Sequence, residues 1–446
     1  MLENSTLMNS VREVTTSTDP IPLYSYTCRV RLPDGTELAP LRMVSWDIAR
    51  DYLKSYADDT YITLVFGIGT YHKYIFGNKE DLTIIVVREV VGEHIEAYNE
   101  PINIREFKAV LCETKDASAS GSAIMDNVEV ADTANISLVR FQLIDRVTEW
   151  VRSVSVGGSF RQTSPGEVLE SIITTKLGDI PREILEDQGS INIVAPDNTE
   201  KRAHVVVPHA TPLNELADWL QEKCGGIYST GLGFYLQEGS WYVWPALNTH
   251  RFESEPQGLT IVNVPEDKMP SIERTWLQKQ NQLTILSTGK TDITDNSDKL
   301  KLDQGIGIRF NDAKSLFSDF VTTVDNVTKA ARGRNVTELT IEEAVDGIKH
   351  VARGIKRVSS NLFSELSVTA SRQGTVVTAT WENSDTNILY PGMPVRFLYE
   401  VENQIMIKHG VLIGAQHFIS MEGKGGSSTR FKSNSALMLF LGKEDG

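Results

Sequence analysis

The sequence predicts an α+β, multi-domain chain in which two all-β regions flank an α/β segment, with a helical hairpin inserted in the second β region. Three observations predict it. Short runs of β-branched and aromatic residues, separated by Gly, Asn and Asp turns, fill residues 20–130 and return from residue 271 to 446. Between them, over 131–270, amphipathic helices with start and stop signals alternate with strands. At about 312–360 two helical stripes interrupt the second β region.

Composition bounds the function. The chain has 446 residues, 40% of them hydrophobic, and a formal net charge of −15. That length and apolar content suffice for more than one core. The acidic balance excludes a general nucleic-acid coat, which would be basic. Cys28, Cys112 and Cys224 lie far apart with no CxxC spacing, so neither a thiolate zinc site nor a disulfide framework is expected, and synthesis in a reducing cytoplasm is. No apolar run approaches the length of a membrane span, and the polar first residues lack a signal core.

Residues 1–19, rich in Ser, Thr and Asn, read as an arm or disordered tail. Tyr24 to Leu32 alternates as a half-buried strand and stops at Pro33-Asp34-Gly35. Val44–Leu53 fits either a strand or a short helix. Tyr61–Phe66, Tyr71–Phe76, Leu82–Val87 and Phe107–Leu111 read as further strands. Ile136–Val147 is a strand candidate, and Ser164-Pro165-Gly166-Glu167 is a capping box before a helix that buries Val168, Leu169, Ile172 and Ile173. Ile191–Val194 and Ala203–Val207 read as strands. Thr211 and Pro212 then suit a cap and first helical position, ahead of a stripe of Leu213, Leu216, Ala217, Leu220 and Cys224 that Gly225-Gly226 ends. Strands at Ile227–Ser229, Gly233–Leu236 and Trp241–Trp244 follow, the last two joined by Glu238-Gly239. Beyond 271, strands are expected at Gln282–Ser287, Gly305–Phe310, Leu366–Ala370, Val377–Trp381, Met393–Tyr399, Ile405–Ala415 and Ala436–Leu441. The insertion begins with a stripe from Ala313 to Val324. Its second helix opens on the capping box Thr340-Ile341-Glu342-Glu343.

The motifs that carry chemistry fail one by one. Gly289-Lys290-Thr291 has Thr284 where a phosphate loop needs glycine, and Gly305-Ile306-Gly307 has Phe310 where a dinucleotide loop needs its third. His204 and His209 lack helical zinc spacing, and the acidic DITDNSD stretch lacks the glycine of an EF-hand. No Gly-x-Ser-x-Gly elbow occurs. No catalytic residue, metal or cofactor is therefore expected. One charge feature stands out: Lys329, Arg332 and Arg334, then Lys349, Arg353, Lys356 and Arg357, concentrate positive charge in an acidic chain. As a docking surface for an acidic partner, the candidates are Lys349, Arg353, Lys356 and Arg357; a solvated helix face is the alternative.

Three stretches, in order, resemble the baseplate hub family of contractile-tailed phages. They are LVRFQLIDRVTEWVRSVSVG at Leu138–Gly157 with the capped helix from Ser164, the helix and aromatic hairpin at 211–245, and LYPGMPVRF at Leu389–Phe397 followed by Val411–Ser420 with His417 and by Ala436–Leu441. The insertion and the N-terminal arm depart from the family. The resemblance implies two tail-tube-like β-barrel domains per chain, at 20–130 and 271–446, and a homotrimer that imitates a six-fold ring. It implies a structural virion protein at the tail tip, made in the host cytoplasm, with the central spike, the tail tube and surrounding baseplate proteins as partners. DNA would pass through an acidic channel without specific binding, and no enzymatic activity is implied. Two other readings compete: a tail-associated polysaccharide or peptidoglycan hydrolase, and a tail-tip adaptor or host-binding protein.

Overall fold

The computed structural model describes residues 2–17, 23–91, 103–112, 136–184, 189–255, 257–265, 274–288, 291–294, 340–345, 348–353, 362–371, 374–401, 404–421 and 431–442. The chain opens with helix α1 (Leu2–Thr16). Strands β1 (Leu23–Arg31), β2 (Glu37–Leu38), β3 (Arg42–Asp51), β4 (Asp59–Gly67), β5 (Leu82–Val91), β6 (Asn103–Leu111) and β7 (Ile136–Asp145) follow. They pair antiparallel in the order β3-β4-β7-β6-β5-β1-β2. One face of this sheet buries Tyr26, Val30, Trp46, Ile62, Leu64, Phe66, Ile84, Phe107 and Phe141. The sheet is curled enough for Tyr26 of β1 to meet Trp46 of β3 edge-on, ring centres 5.5 Å apart.

The middle of the chain comprises α2 (Arg146–Ser153), β8 (Ser155–Thr163), α3 (Pro165–Asp179), β9 (Ile191–Ile193), β10 (Arg202–Pro212), α4 (Leu216–Lys223), β11 (Leu232–Gln237) and β12 (Ser240–Pro245). Strands β8 and β10 form an antiparallel ribbon, and β9, β12 and β11 form a small mixed sheet. Helix α3 starts as its sequence dictates. The Ser164 hydroxyl accepts from the Glu167 amide, the Glu167 carboxylate accepts from the Ser164 amide, and Pro165 holds the first helical position. Leu213, Leu216, Ala217 and Leu220 are at most 1% exposed against Val168, Leu169, Ile173, Trp241 and Val243.

The last part holds β13 (Gly258–Val264), β14 (Trp276–Lys279), β15 (Gln282–Thr288), β16 (Thr291–Thr294), β17 (Thr340–Val345), β18 (Ile348–Arg353), α5 (Leu362–Ser371), β19 (Gly374–Glu382), β20 (Pro394–Val401), β21 (Gln404–Met421) and β22 (Phe431–Gly442). The order is β14-β15-β13-β20-β21-β22-β19-β16, with β13 parallel to both β15 and β20. Along one edge of β21, β20 pairs with Gln404–Val411, and β3 takes over at Gly414–Ser420. The two β regions therefore share β21 and form one continuous sheet. Among the described residues no sheet closes into a barrel, because the ladder of the first region runs from β3 into β21 instead of returning to β1. The closed barrels that the resemblance implies are corrected to open, curled sheets.

Other expectations are corrected as well. The second helix of the insertion is a β-hairpin: β17 and β18 pair antiparallel from Thr340↔Arg353 to Val345↔Ile348. In the sequence Asp-Gly follows Val345 and precedes Ile348, a strong hairpin signal between β-branched flanks that the capping-box reading overrode. The stripe at 313–324 and the strand at 305–310 lie outside the described residues. Tyr71–Phe76 is a short helical stretch, where Tyr71, Tyr74 and Ile75 turn one helical face to the first core. Leu366–Ala370 belongs to α5, not to a strand. Thr211 and Pro212 end β10 instead of capping, since the Thr211 hydroxyl donates to the Pro208 carbonyl and α4 begins after a single 3-10 turn. Ile227 and Tyr228 form no strand: the side-chain amide of Gln221 accepts from both their amides and donates to the Tyr228 carbonyl, taking a neighbouring strand's place. The segment expected as an arm or disordered tail contains α1, whose Val14 is wholly buried, which corrects the disordered alternative for these residues. The ambiguous Val44–Leu53 segment is mostly strand β3.

Candidate functional site

The hairpin turn between β11 and β12 reaches the seam where the two β regions and the middle segment meet. Glu238 and Gly239 both have positive φ, 50° and 77°, as the tight two-residue turn between Gln237 and Ser240 requires. This turn presents Glu238 to two arginines. Arg50 ends the inward phase of β3, after Trp46 and Ile48, with its side chain fully covered. Its guanidinium donates to Asp58 Oδ2 at 3.2 Å and to the Thr386 carbonyl at 2.9 Å, and lies 3.7 Å from Glu238 Oε1. Arg105 of β6 bridges Glu238 Oε1 at 3.3 Å and Asp145 Oδ2 at 3.2 Å.

Neutral groups complete the seam. The Tyr235 hydroxyl donates to Asp58 Oδ1 at 2.9 Å. Tyr52 meets Tyr235 edge-on at 4.8 Å and donates to the Gln237 side chain, which donates to the Leu389 carbonyl at 2.9 Å. The Leu236 amide donates to the Tyr56 carbonyl at 2.7 Å, so backbone also crosses the seam. Burial alone would pull the Arg50 pKa down, but the carboxylates of Asp58 and Glu238 outweigh it and raise it. Burial would raise Glu238, yet Arg105 and Arg50 bring it below the usual carboxylate range. Arg50, Arg105 and Glu238 are thus held charged by one another, the Arg50 side chain fully covered and that of Glu238 partly exposed. A cavity of about 20 Å³ beside Arg50, Arg88, Arg105 and Glu238 has room for one water.

A second polar chain runs next to it. His417 of β21 is 0% exposed, and its Nδ1 lies 2.6 Å from the Ser435 hydroxyl. Ser435 donates to Ser384 at 2.6 Å, and Ser384 and Ser433 share a hydrogen bond of 3.0 Å. Burial, and then the Arg50 charge, hold the His417 pKa well below the ordinary imidazole value. A neutral histidine against a serine has the geometry of a base and nucleophile. Here both are sealed in the sheet, so no substrate reaches them. The carboxylates at the seam are likewise tied to arginines, an arrangement that fixes geometry and leaves no free acid–base pair.

The sequence-derived docking residues fall elsewhere. Lys349 and Arg353 sit on β18, opposite Ala344 and Thr340 in the hairpin register. Lys356 and Arg357, like Lys329, Arg332 and Arg334, lie outside the described residues. The helical face that was to unite them is absent, because β18 replaces the helix there. Sequence reading missed the seam. Its signals were Arg50, a charge in the inward phase of a strand, and His417, in phase with Ala415 and Ile419. Among the described residues no group of three or more His, Cys, Asp and Glu could hold a metal ion, and no helix is long and apolar enough to cross a membrane.

No family model and no curated protein sequence matches the chain. Solved structures with a similar fold include a prophage tail protein, PdpA–VgrG complexes and a type VI secretion component. The 43 kDa tail protein of prophage MuSo2 from Shewanella oneidensis has a TM-score of 0.40 and 8% identity, covering 92% of this chain and 96% of that one. The half-lidded Francisella PdpA–VgrG complex gives 0.36 and 8%, covering 99% of this chain and 62% of that one. The E. coli c3393 protein, a type VI secretion component with structural similarity to the T4 tail proteins gp27 and gp5, gives 0.35 and 8%, covering 90% and 74%. Every TM-score is below 0.5, so these likenesses carry no argument about mechanism.

Proposed function

We propose that this chain is a non-enzymatic structural hub of a phage-type tail, joining a tail tube to a central spike. The observation that carries the reading is the seam: ion pairs among Arg50, Arg105, Glu238, Asp58 and Asp145 tie the first β region to the middle segment, and hydrogen bonds from Arg50 to the Thr386 carbonyl and from Gln237 to the Leu389 carbonyl bring in the second β region. A protein on the axis of a tail must hold a fixed geometry, and buried charge specifies geometry better than it adds stability. The order of hub-like stretches along the sequence points the same way. Two β regions per chain let three copies meet both a six-fold tube and a three-fold spike through one repeated head-to-tail contact. The net charge of −15 suits a bore that repels DNA and keeps it mobile.

Electron microscopy of the assembled particle tests the proposal. Three copies on the axis, with carboxylates facing the bore, are expected. Six copies, an off-axis monomer or a Lys- and Arg-lined bore would overturn it. Lys349, Arg353, Lys356 and Arg357 are proposed to dock an acidic neighbour in that particle. Reversing the charge of Arg353, Lys356 and Arg357 should leave the chain folded and weaken assembly, with a defect that shrinks as salt rises. Normal assembly of the triple variant would leave these residues merely solvated.

A further inference from the structure

We infer that a single halide ion binds in the cavity beside Arg50, where unpartnered N–H donors meet an excess of positive charge. Three strands of the first sheet end their inward apolar rows on an arginine. On β3 the row is Trp46, Ile48 and Arg50, on β5 it is Ile84, Val86 and Arg88, and on β6 it is Ala109, Phe107 and Arg105. All three arginines line the same cavity of about 20 Å³. Glu238 is the only carboxylate among its described lining residues, so the wall carries three positive charges against one negative. Asp58 and Asp145 hold Arg50 and Arg105 from outside that wall.

Two donors of the wall have nothing to bond. Arg50 Nη2 and Trp46 Nε1 are buried without a hydrogen-bond partner among the described residues, and the two residues are 1% and 5% exposed. Glu238 Oε1 bonds Arg105 at 3.3 Å and stands 3.7 Å from Arg50 Nη2, beyond a hydrogen bond. Indole and guanidinium N–H groups only donate, so the missing partner is an acceptor. The space admits one water-sized sphere, too little for a carboxylate or a phosphate. A water accepts two bonds and leaves the charge as it is. A halide accepts from every donor around it and offsets part of the excess charge. Its own burial is compensated, because it is both paired with cations and hydrogen-bonded.

Bromide tests this on the full chain. The protein is dialysed free of chloride into sodium gluconate, whose anion is too large for the cavity. Bromide then replaces gluconate in the millimolar range at constant ionic strength, so screening of other charges stays fixed. An ion that binds only the folded chain raises the thermal midpoint with each tenfold increase in its concentration. That rise is expected in wild type and lost in Trp46→Phe, which keeps an aromatic ring and removes the N–H. Leu220→Ala, which loosens the molecule elsewhere, should start lower and keep the wild-type slope. Crystals grown in bromide should show an anomalous peak between Trp46 Nε1 and Arg50 Nη2. A flat midpoint in wild type, an undiminished slope in Trp46→Phe or a cavity without an anomalous peak would each overturn the site. Both readouts use the isolated chain, so they are independent of its place in a tail.

Discussion

The core under α4 and the seam around Arg50 hold the same middle segment by opposite means. Under α4 the contacts are apolar and interchangeable: Leu216 and Leu220 touch several neighbours, none of which depends on a single bond. At the seam each contact is particular. Arg50 reaches Asp58, Glu238 and the Thr386 carbonyl at once, while Arg105 and Tyr235 hold Glu238 and Asp58 from other sides. A core built on area loses stability in proportion to what is cut away. A core built on buried charge loses most when one partner goes and the others stay.

The largest effect is therefore expected at Arg50. Arg50→Met should cost about 3–5 kcal/mol, since it removes a fully covered guanidinium and leaves the partly covered Asp58 carboxylate with the Tyr235 hydroxyl but no cation. Adding Asp58→Asn should recover part of the loss, as measured by denaturant midpoints. A loss below about 1 kcal/mol would make the seam no tighter than an exposed ion pair. Leu220→Ala should cost roughly 2–5 kcal/mol, and no partner substitution nearby should restore it. An unchanged midpoint would mean that the α4 stripe faces no core.

Acid should separate the two regions further. His417 is buried neutral, with its pKa depressed below 6.5, so the unfolded chain takes up a proton that the folded chain refuses. Stability is then full above pH 6.5 and falls as pH drops below it, by up to about 1.4 kcal/mol per unit. His417→Gln should flatten that slope in urea titrations between neutral and mildly acidic pH. An equal slope in wild type and variant would assign the acid sensitivity to other groups. The smallest effect is expected at the start of α3, where Ser164→Ala removes one cap and should cost about 1 kcal/mol by thermal or chemical denaturation.

The sequence was readable where one period governed a whole element. The stripe from Leu213 to Cys224, the capping box at Ser164 and the alternation of Val377, Ala379 and Trp381 all sit as their spacing requires. It misled where two periods fitted. Tyr71–Phe76 and Leu366–Ala370 contain residues that strands favour, yet both stretches are helical. At Thr340–Arg353 a helix start signal competed with an Asp-Gly turn, and strand pairing won over a helix weakened by Gly347. The seam was hidden for a different reason. Its partners lie far apart in the chain, as Arg50 and Glu238 do, and no local pattern pairs them.

Strand β21 has a mechanical consequence. Its eighteen residues run unbroken from the β20 pairing to the β3 pairing, with β22 alongside from Gly410 to Met421. A pull that separates the two β regions along this strand loads its ladders in shear, so many hydrogen bonds must yield together instead of unzipping singly. The covalent backbone carries tension directly from one region to the other, and the neighbouring strands act as a splint.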